Sequence, residues 1–366
     1  MVVSMSPVSR RDFMKYSVGA AAVFGAAACG TSSTPAPSAS AGGSKYPGLT
    51  QFTMADWGGS TDQAFLSAYG KPFTKATGVP MVSVALDYGK LQAQVQNNQV
   101  TWGDTDSEGW FVHAKSDLLE PLDYAAIGVT KEDMVNPEFM QPNGVANYVY
   151  GWVQAYRTDS KKKHPTNWVE FFDTKNFPGT RSLYNYCYGS LELALLGDGV
   201  PYDQLYPLDV ERAFRKIASI KKDLVYWNTG AQSQQFLVSG TADFVAGWNP
   251  RFGYLALTGL PVAIEWNQQM LAADYHAVPK GGKYAAASME FIKTAMQPEN
   301  QANFAELSGG LAGSVTKAND TVPDRLKPWL PTTPENLAKS VGAQNDTWWG
   351  TNFDAVNAQW TKFTAG

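Results

Sequence analysis

Gln51-Phe52-Thr53-Met54-Ala55-Asp56-Trp57-Gly58-Gly59-Ser60 reads as a short strand that runs into a glycine turn. The residues that follow, Thr61 to Thr77, place Ala64, Phe65, Ala68, Tyr69, Pro72 and Phe73 at spacings of three and four and stop at Gly78, which is a helix with its end marked. Strand, glycine turn, helix is the unit of an open α/β sheet. Val79 to Leu86 then reads as a strand, Tyr88 to Asn98 as a helix, and a second strand-turn-helix begins near Asp104. Alternation of this kind predicts a mostly parallel sheet with helices on both faces. Ligands gather at the C-terminal ends of such strands.

The same grammar resumes at Tyr148 to Tyr156 and continues to the end. Arg181 to Tyr184 is a candidate strand, Gly189 to Leu196 a helix, and Leu208 to Ile220 an amphipathic helix with Val210, Ala213, Phe214 and Ile217 on one face. Gln232 to Val238 reads as a helix, and Asp243 to Trp248 as a strand ending at an Asn249-Pro250 turn. Ala285 to Met296 and Phe353 to Phe363 are the clearest late helices. No repeat of 20 to 50 residues is present, which excludes a solenoid.

The N-terminus carries an address. Arg10-Arg11 heads the charge-free run Tyr16 to Ala28, and Ala26-Ala27-Ala28 precedes Cys29. Adjacent arginines before an apolar run of 13 residues give the layout of a twin-arginine export signal, too short to span a bilayer, which takes roughly 20 residues. The small residues before Cys29 resemble a lipobox, although Ala26 stands where leucine is usual. The expectation is a signal over 1–28, an acylated Cys29, and a tether over 29–48 whose stretch Thr31 to Ser44 is small, polar and Pro-containing. The alternative is an ordinary cleavage site with an incidental cysteine. An acylated chain would sit exported, anchored by lipid to the outer face of the cytoplasmic membrane.

Charge and composition narrow the partners. The chain has 29 Lys+Arg against 33 Asp+Glu, and residues 1–28 take three basic and one acidic residue with them, leaving 26 against 32 and a net charge of −6. A mildly acidic body without a basic block argues against nucleic acid. Three histidines, His113, His164 and His276, lie far apart without ligand-spaced neighbours, so no metal and no cofactor are expected. With Cys29 acylated, Cys187 is left alone and is expected to be buried. There is no Gly-x-Ser-x-Gly elbow, zinc helix or phosphate loop, which speaks against an enzyme.

Several segments together resemble an extracytoplasmic solute-binding protein of an ABC importer, of the spermidine/putrescine-binding (PotD-like) family. They are Trp57-Gly58-Gly59, Leu118 to Asp123, Phe177-Pro178-Gly179, Leu191 to Val200, Leu205 to Asp209, Gly230 to Ser233 and Gly247-Trp248-Asn249. The resemblance spans nearly all of residues 50–366. It implies a two-lobe periplasmic-binding-protein fold of type II, α/β in both lobes, with residues 49–150 plus 279–366 in one lobe and 151–278 in the other. Crossing strands are implied near Tyr150 to Ala155 and Tyr275 to Val278. It also implies a monomer that captures a small amine between the lobes and delivers it to a membrane permease. The alternatives are an exported hydrolase with a glycosidase-type carboxylate pair, or a ligand sensor for a signalling receptor.

The candidate ligand-binding residues follow from both readings. Trp57 and Trp248 match the aromatic walls of that family, and an indole face over an ammonium contributes about 0.5–2 kcal/mol. Asp106, Ser107, Glu108 and Gly109 lie on a strand-to-helix turn that could offer hydroxyl, carboxylate and helix N-terminal amides, or could otherwise be a simple cap. Asp274 matches an acid placed against an amino group, and Tyr186 and Gln232 are weaker candidates. The polyamine binders use further acids in the segment written here Tyr184 to Gly189, and none is present. Arg251, two residues after Trp248-Asn249, could instead clamp a carboxylate. Arg251 and Asp274 as opposite poles suit a zwitterion such as γ-aminobutyrate at least as well as a polyamine, unless Arg251 is spent on a salt bridge.

Overall fold

The computed structural model describes residues 44–58 and 60–365, so the expected export signal, Cys29 and residues 29–43 of the expected tether lie outside the described residues. The opening unit forms as its pattern predicts. Strand β1 (Phe52–Asp56) leads into α1 (Ser60–Phe65), a π-helical turn over Leu66–Gly70 and α2 (Lys71–Thr77), which ends at Gly78 with φ +73°. Strand β2 (Met81–Ala85), α3 (Tyr88–Gln96), β3 (Asp104–Ser107) and α4 (Trp110–Lys115) follow.

Two strands are far longer than the rest. β4 (Gly144–Arg157) and, much later, β8 (Val262–Ala277) run antiparallel along almost their full lengths. Between them lie β5 (Arg181–Tyr184), α5 (Cys187–Gly197), α6 (Val210–Ala218), β6 (Leu224–Trp227), α7 (Gly230–Ser239), β7 (Phe244–Trp248) and α8 (Asn249–Leu257). The chain closes with α9 (Ala285–Ala295), α10 (Pro298–Leu307), β9 (Ser340–Ala343) and α11 (Asp346–Ala365).

The strand order is β2-β1-β3-β8-β4-β7-β5-β6. Outer strands pair in parallel at both ends, β2 with β1 and β1 with β3, β7 with β5 and β5 with β6. The long pair in the middle enters each set antiparallel, through β3 with β8 and β4 with β7. Two α/β lobes are thus joined by crossing strands within one sheet, their ladder broken by register shifts between Ala146 and Tyr148 and between Trp152 and Gln154, and the crossings are longer than the expected short segments. The C-terminal helix touches both lobes: Gly350 packs on Phe111 of α4, and Trp349 Nε1 donates to Glu192 of α5.

Two differences from the sequence pattern have physical causes. Asn249-Pro250 opens α8 instead of forming a turn, because proline is favourable in the first helical turn where its missing N–H is not needed. α11 begins seven residues before Phe353, since its first turns carry a Trp348-Trp349 pair that packs inward around Glu192. Trp349 is fully buried, and so is Cys187. Among the described residues no helix is long and apolar enough to cross a membrane.

Candidate functional site

The acidic end of the site is built by a bulge. On β4, Tyr148 pairs with Asp274 of β8, but the register shifts between Ala146 and Tyr148, leaving Asn147 as an extra residue. The bulge turns two successive side chains to one target. Asn147 Nδ2 donates to Asp106 Oδ1 at 3.0 Å, and the Tyr148 hydroxyl lies 3.1 Å from Asp106 Oδ2 and 2.7 Å from Asp274 Oδ2. Asp106 is buried at the middle of β3, where burial and then the Asp274 charge hold its carboxyl well above the usual range.

Asp274 presents one oxygen to the cleft. Its Oδ2 accepts from the Trp57 indole at 2.8 Å as well as from Tyr148, while no described group bonds Oδ1. Burial pushes this acid up to about 6, against the two hydrogen bonds that favour its charge. Trp57 stands 48% exposed, so it is a wall of the cleft and not a core residue. Tyr88 of α3 meets it edge-on at 6.1 Å.

Glu108 comes from the turn after β3, and burial followed by the charges of Asp274 and Asp346 pushes it up to about 8. Its charge in turn acts on Tyr88, Tyr150, Tyr184, Tyr186 and Tyr188, each of which is raised first by burial. The Glu108 charge is thus felt by Tyr88 of its own lobe, by Tyr150 of a crossing strand, and by Tyr184, Tyr186 and Tyr188 beyond it. Asp346, at the start of α11, accepts from the Tyr188 hydroxyl at 2.7 Å and is raised by burial to about 6.

The opposite wall is aromatic because β4 alternates. Tyr148, Tyr150 and Trp152 take one face of the strand, with Val149, Gly151 and Val153 on the other. Trp152 pairs across the ladder with Trp248, whose ring lies 5.2 Å from Tyr184, 4.9 Å from Trp227 and 6.2 Å from Tyr150. Trp227 spends its indole N–H on the Ala246 carbonyl, whereas the Trp248 N–H is buried without a partner. Tyr186 joins this wall through Tyr184 at 5.5 Å.

Arg251 sits in the first turn of α8 and packs its guanidinium over Gly230, the first residue of α7, where a Cβ would fall 2.3 Å from Nε. Two helix N-termini thus converge on one cation, an arrangement that attracts an anion. Surrounding protein lowers its pKa by desolvation, which the nearby Tyr148 opposes. No carboxylate pairs with Arg251 among the described residues, so the salt bridge to Asp274 allowed by the sequence does not form.

The structure gathers Trp57, Glu108, Tyr186, Trp248 and Asp274 around one interlobe space. Ser107 is engaged locally, its hydroxyl accepting from Gly109 N at 3.0 Å and meeting the Tyr88 hydroxyl at 2.9 Å. Gln232 is likewise engaged, its Oε1 accepting from Asn228 N at 2.7 Å, which caps the turn before α7. Both behave as turn fasteners. Beside the gathered residues lie Tyr148, Tyr150, Tyr184 and Asp346, which the sequence did not single out, and Asp106, which it offered only as part of the strand-to-helix turn. The period-two aromatics of β4 were a readable signal for the tyrosines.

Residues 68–335 match the model of a family described as bacterial extracellular solute-binding protein. A gamma-aminobutyric acid-binding protein of Pseudomonas aeruginosa is 33% identical over 304 residues, covering 80% of this chain and 85% of its own. The solved structure of a GABA receptor is similar at a TM-score of 0.79 and 34% identity, over 86% of this chain and 97% of that one. The PBP AgtB of Agrobacterium tumefaciens R10, in complex with agropinic acid, is similar at a TM-score of 0.71 and 30% identity, over 87% and 99%.

Proposed function

The chain belongs to the bacterial extracellular solute-binding proteins, and from that premise we propose that its cleft captures a small zwitterionic ω-amino acid of the γ-aminobutyrate type for delivery to an ABC permease. One observation supports the reading: Tyr148, which donates to the buried carboxylate of Asp274, also lies within electrostatic reach of the Arg251 guanidinium, which has no carboxylate partner among the described residues. Arg251, the Trp248 N–H and the N-terminus of α7 would hold the ligand carboxylate. Asp274 Oδ1 and Glu108 would hold the ammonium, with Trp57 over its face. Similarity to a gamma-aminobutyric acid-binding protein and a GABA receptor supports this choice. Similarity to solute-binding proteins supports a carrier that captures and releases its solute unchanged. Acylation of Cys29 would keep it at the membrane beside its permease.

The second reading, a polyamine such as putrescine, is favoured by the number of acids. Asp56, Asp106, Glu108, Asp274 and Asp346 all carry raised pKa values, against the single Arg251 cation. A thermal-shift panel with γ-aminobutyrate, putrescine, spermidine, a betaine and a sugar separates the readings. A ligand at 100 times its dissociation constant stabilises by about 2.7 kcal/mol. A shift with γ-aminobutyrate that disappears in Arg251→Ala is expected. A shift with polyamines alone, undisturbed in Arg251→Ala, would replace the zwitterion by the dication.

A further inference from the structure

We propose that the empty cleft stores a proton on Asp106, hydrogen-bonded to the Tyr148 oxygen, and that an ammonium ligand at Asp274 drives that proton into solution. This rests on the amine reading of the site. The Tyr148 hydroxyl lies between two carboxylate oxygens, Asp274 Oδ2 at 2.7 Å and Asp106 Oδ2 at 3.1 Å. A phenol has one hydrogen to donate, and the shorter contact takes it. The longer contact is oxygen against oxygen, and a second hydrogen is needed to make it attractive. Asp106 supplies it as a neutral acid that donates to Tyr148, while its other oxygen accepts from Asn147 Nδ2.

Burial and the acids facing the pair favour this state, against the hydrogen bonds of Asn147 and Tyr148, which favour an ionised Asp106. From β1 comes Asp56, held by Ser83 at 2.6 Å and Gly58 N at 2.7 Å, and from the turn after β3 comes Glu108. From β4 come Asn147 and Tyr148, from the π turn Tyr69, and from the turn after β1 the Trp57 indole. From α3 comes Tyr88, and Arg251 of α8 senses Tyr148 from the other lobe. From β8 comes His276, the partner of Asp106 across the β3–β8 ladder, with its Nδ1 spent on Asp104 at 2.6 Å. Among the described residues acids, neutral donors and the His276 ring thus surround Asp106, and no Lys or Arg bonds it. Burial and Asp274 keep its proton on well above the ordinary carboxylate range.

Binding changes the balance. An ammonium at Asp274 Oδ1 brings positive charge beside the pair and favours the ionised form of Asp106. The O–H bond of Asp106 breaks, the electron pair stays on the carboxylate, and buffer or water takes the proton. Affinity then rises with pH by up to about tenfold per unit while Asp106 is neutral in the empty protein.

The test is calorimetry of the purified protein with γ-aminobutyrate at pH 7, in buffers of different ionisation enthalpy. A binding enthalpy that varies with the buffer's, corresponding to proton release, is expected, and Asp106→Asn should flatten the dependence. A flat dependence in the unaltered protein overturns the stored proton. So does a slope that survives Asp106→Asn and vanishes in Glu108→Gln. No heat from either γ-aminobutyrate or putrescine overturns instead the amine reading. Infrared spectroscopy of the ligand-free protein gives a check without ligand: a neutral carboxylic C=O band at pH 7 that Asp106→Asn removes is expected, and its absence from the unaltered protein is a refutation.

Discussion

Asp274 shows how one residue can be both buried and available. Two neutral donors, the Trp57 indole and the Tyr148 phenol, converge on its Oδ2, and Oδ1 is left to face the cleft. Removing the charge while keeping the shape, as in Asp274→Asn, should weaken γ-aminobutyrate binding by at least about 100-fold, the scale of a charge-assisted bond in a desolvated site. Trp57→Phe keeps a ring over the ammonium but drops the donor, so a loss nearer about tenfold is expected. Arg251→Lys retains the charge without the fork and should fall between these limits, with calorimetric dissociation constants as the measure. Trp57, Trp248 and Asp274 were offered by resemblance to a family pattern, and Arg251 by its place two residues after Trp248-Asn249. Tyr148 was hidden and Asp106 was read only as part of a turn, since their contacts depend on a one-residue bulge that no spacing rule marks.

At the scale of elements, α5 carries the largest local irregularity of the site wall. Tyr188 and Gly189 leave helical geometry, with Gly189 at φ +88° and ψ −53°, and a Cβ there would fall 2.3 Å from Trp152 Cζ2. Trp152 is itself 1% exposed and hydrogen-bonded to Gln344 at 2.9 Å, so it cannot yield. Gly189→Ala should therefore cost roughly 2–4 kcal/mol through combined backbone strain and overpacking. Gly240→Ala is the contrast: it ends α7 at φ +74° with nothing near its missing Cβ, and about 1 kcal/mol is expected. Chemical denaturation measures both, and equal losses would refute the steric argument at Gly189. Most elements were legible because amphipathic spacing and glycine stops are local signals. The helix at Asn249 and the early start of α11 were not, because proline serves a turn or a first helical turn alike and because buried Glu192 holds Trp349 from a distance.

For the whole molecule, the cleft acids set an unusual dependence on pH. Asp56, Asp274 and Asp346 are raised to about 6 and Glu108 to about 8, chiefly by burial, whereas such groups in an unfolded chain titrate near about 4. A carboxyl raised on folding contributes stability that is complete below the unfolded value and lost as pH rises through the folded one. Exposed acids lowered by partners, such as Asp198 beside Arg212 and Asp173 beside Asn176, are ionised in both states above about pH 5 and cancel there. The ligand-free protein should consequently lose stability steadily from about pH 5 to pH 8, and its melting temperature should fall over that window. Saturating γ-aminobutyrate supplies the missing positive charge, so the bound protein should show a flatter profile, and the stabilisation by ligand should grow with pH. A melting temperature that instead rises from pH 5 to pH 8 without ligand would mean that the cleft acids are already compensated, and the need for a cationic group in the ligand would lose its physical basis.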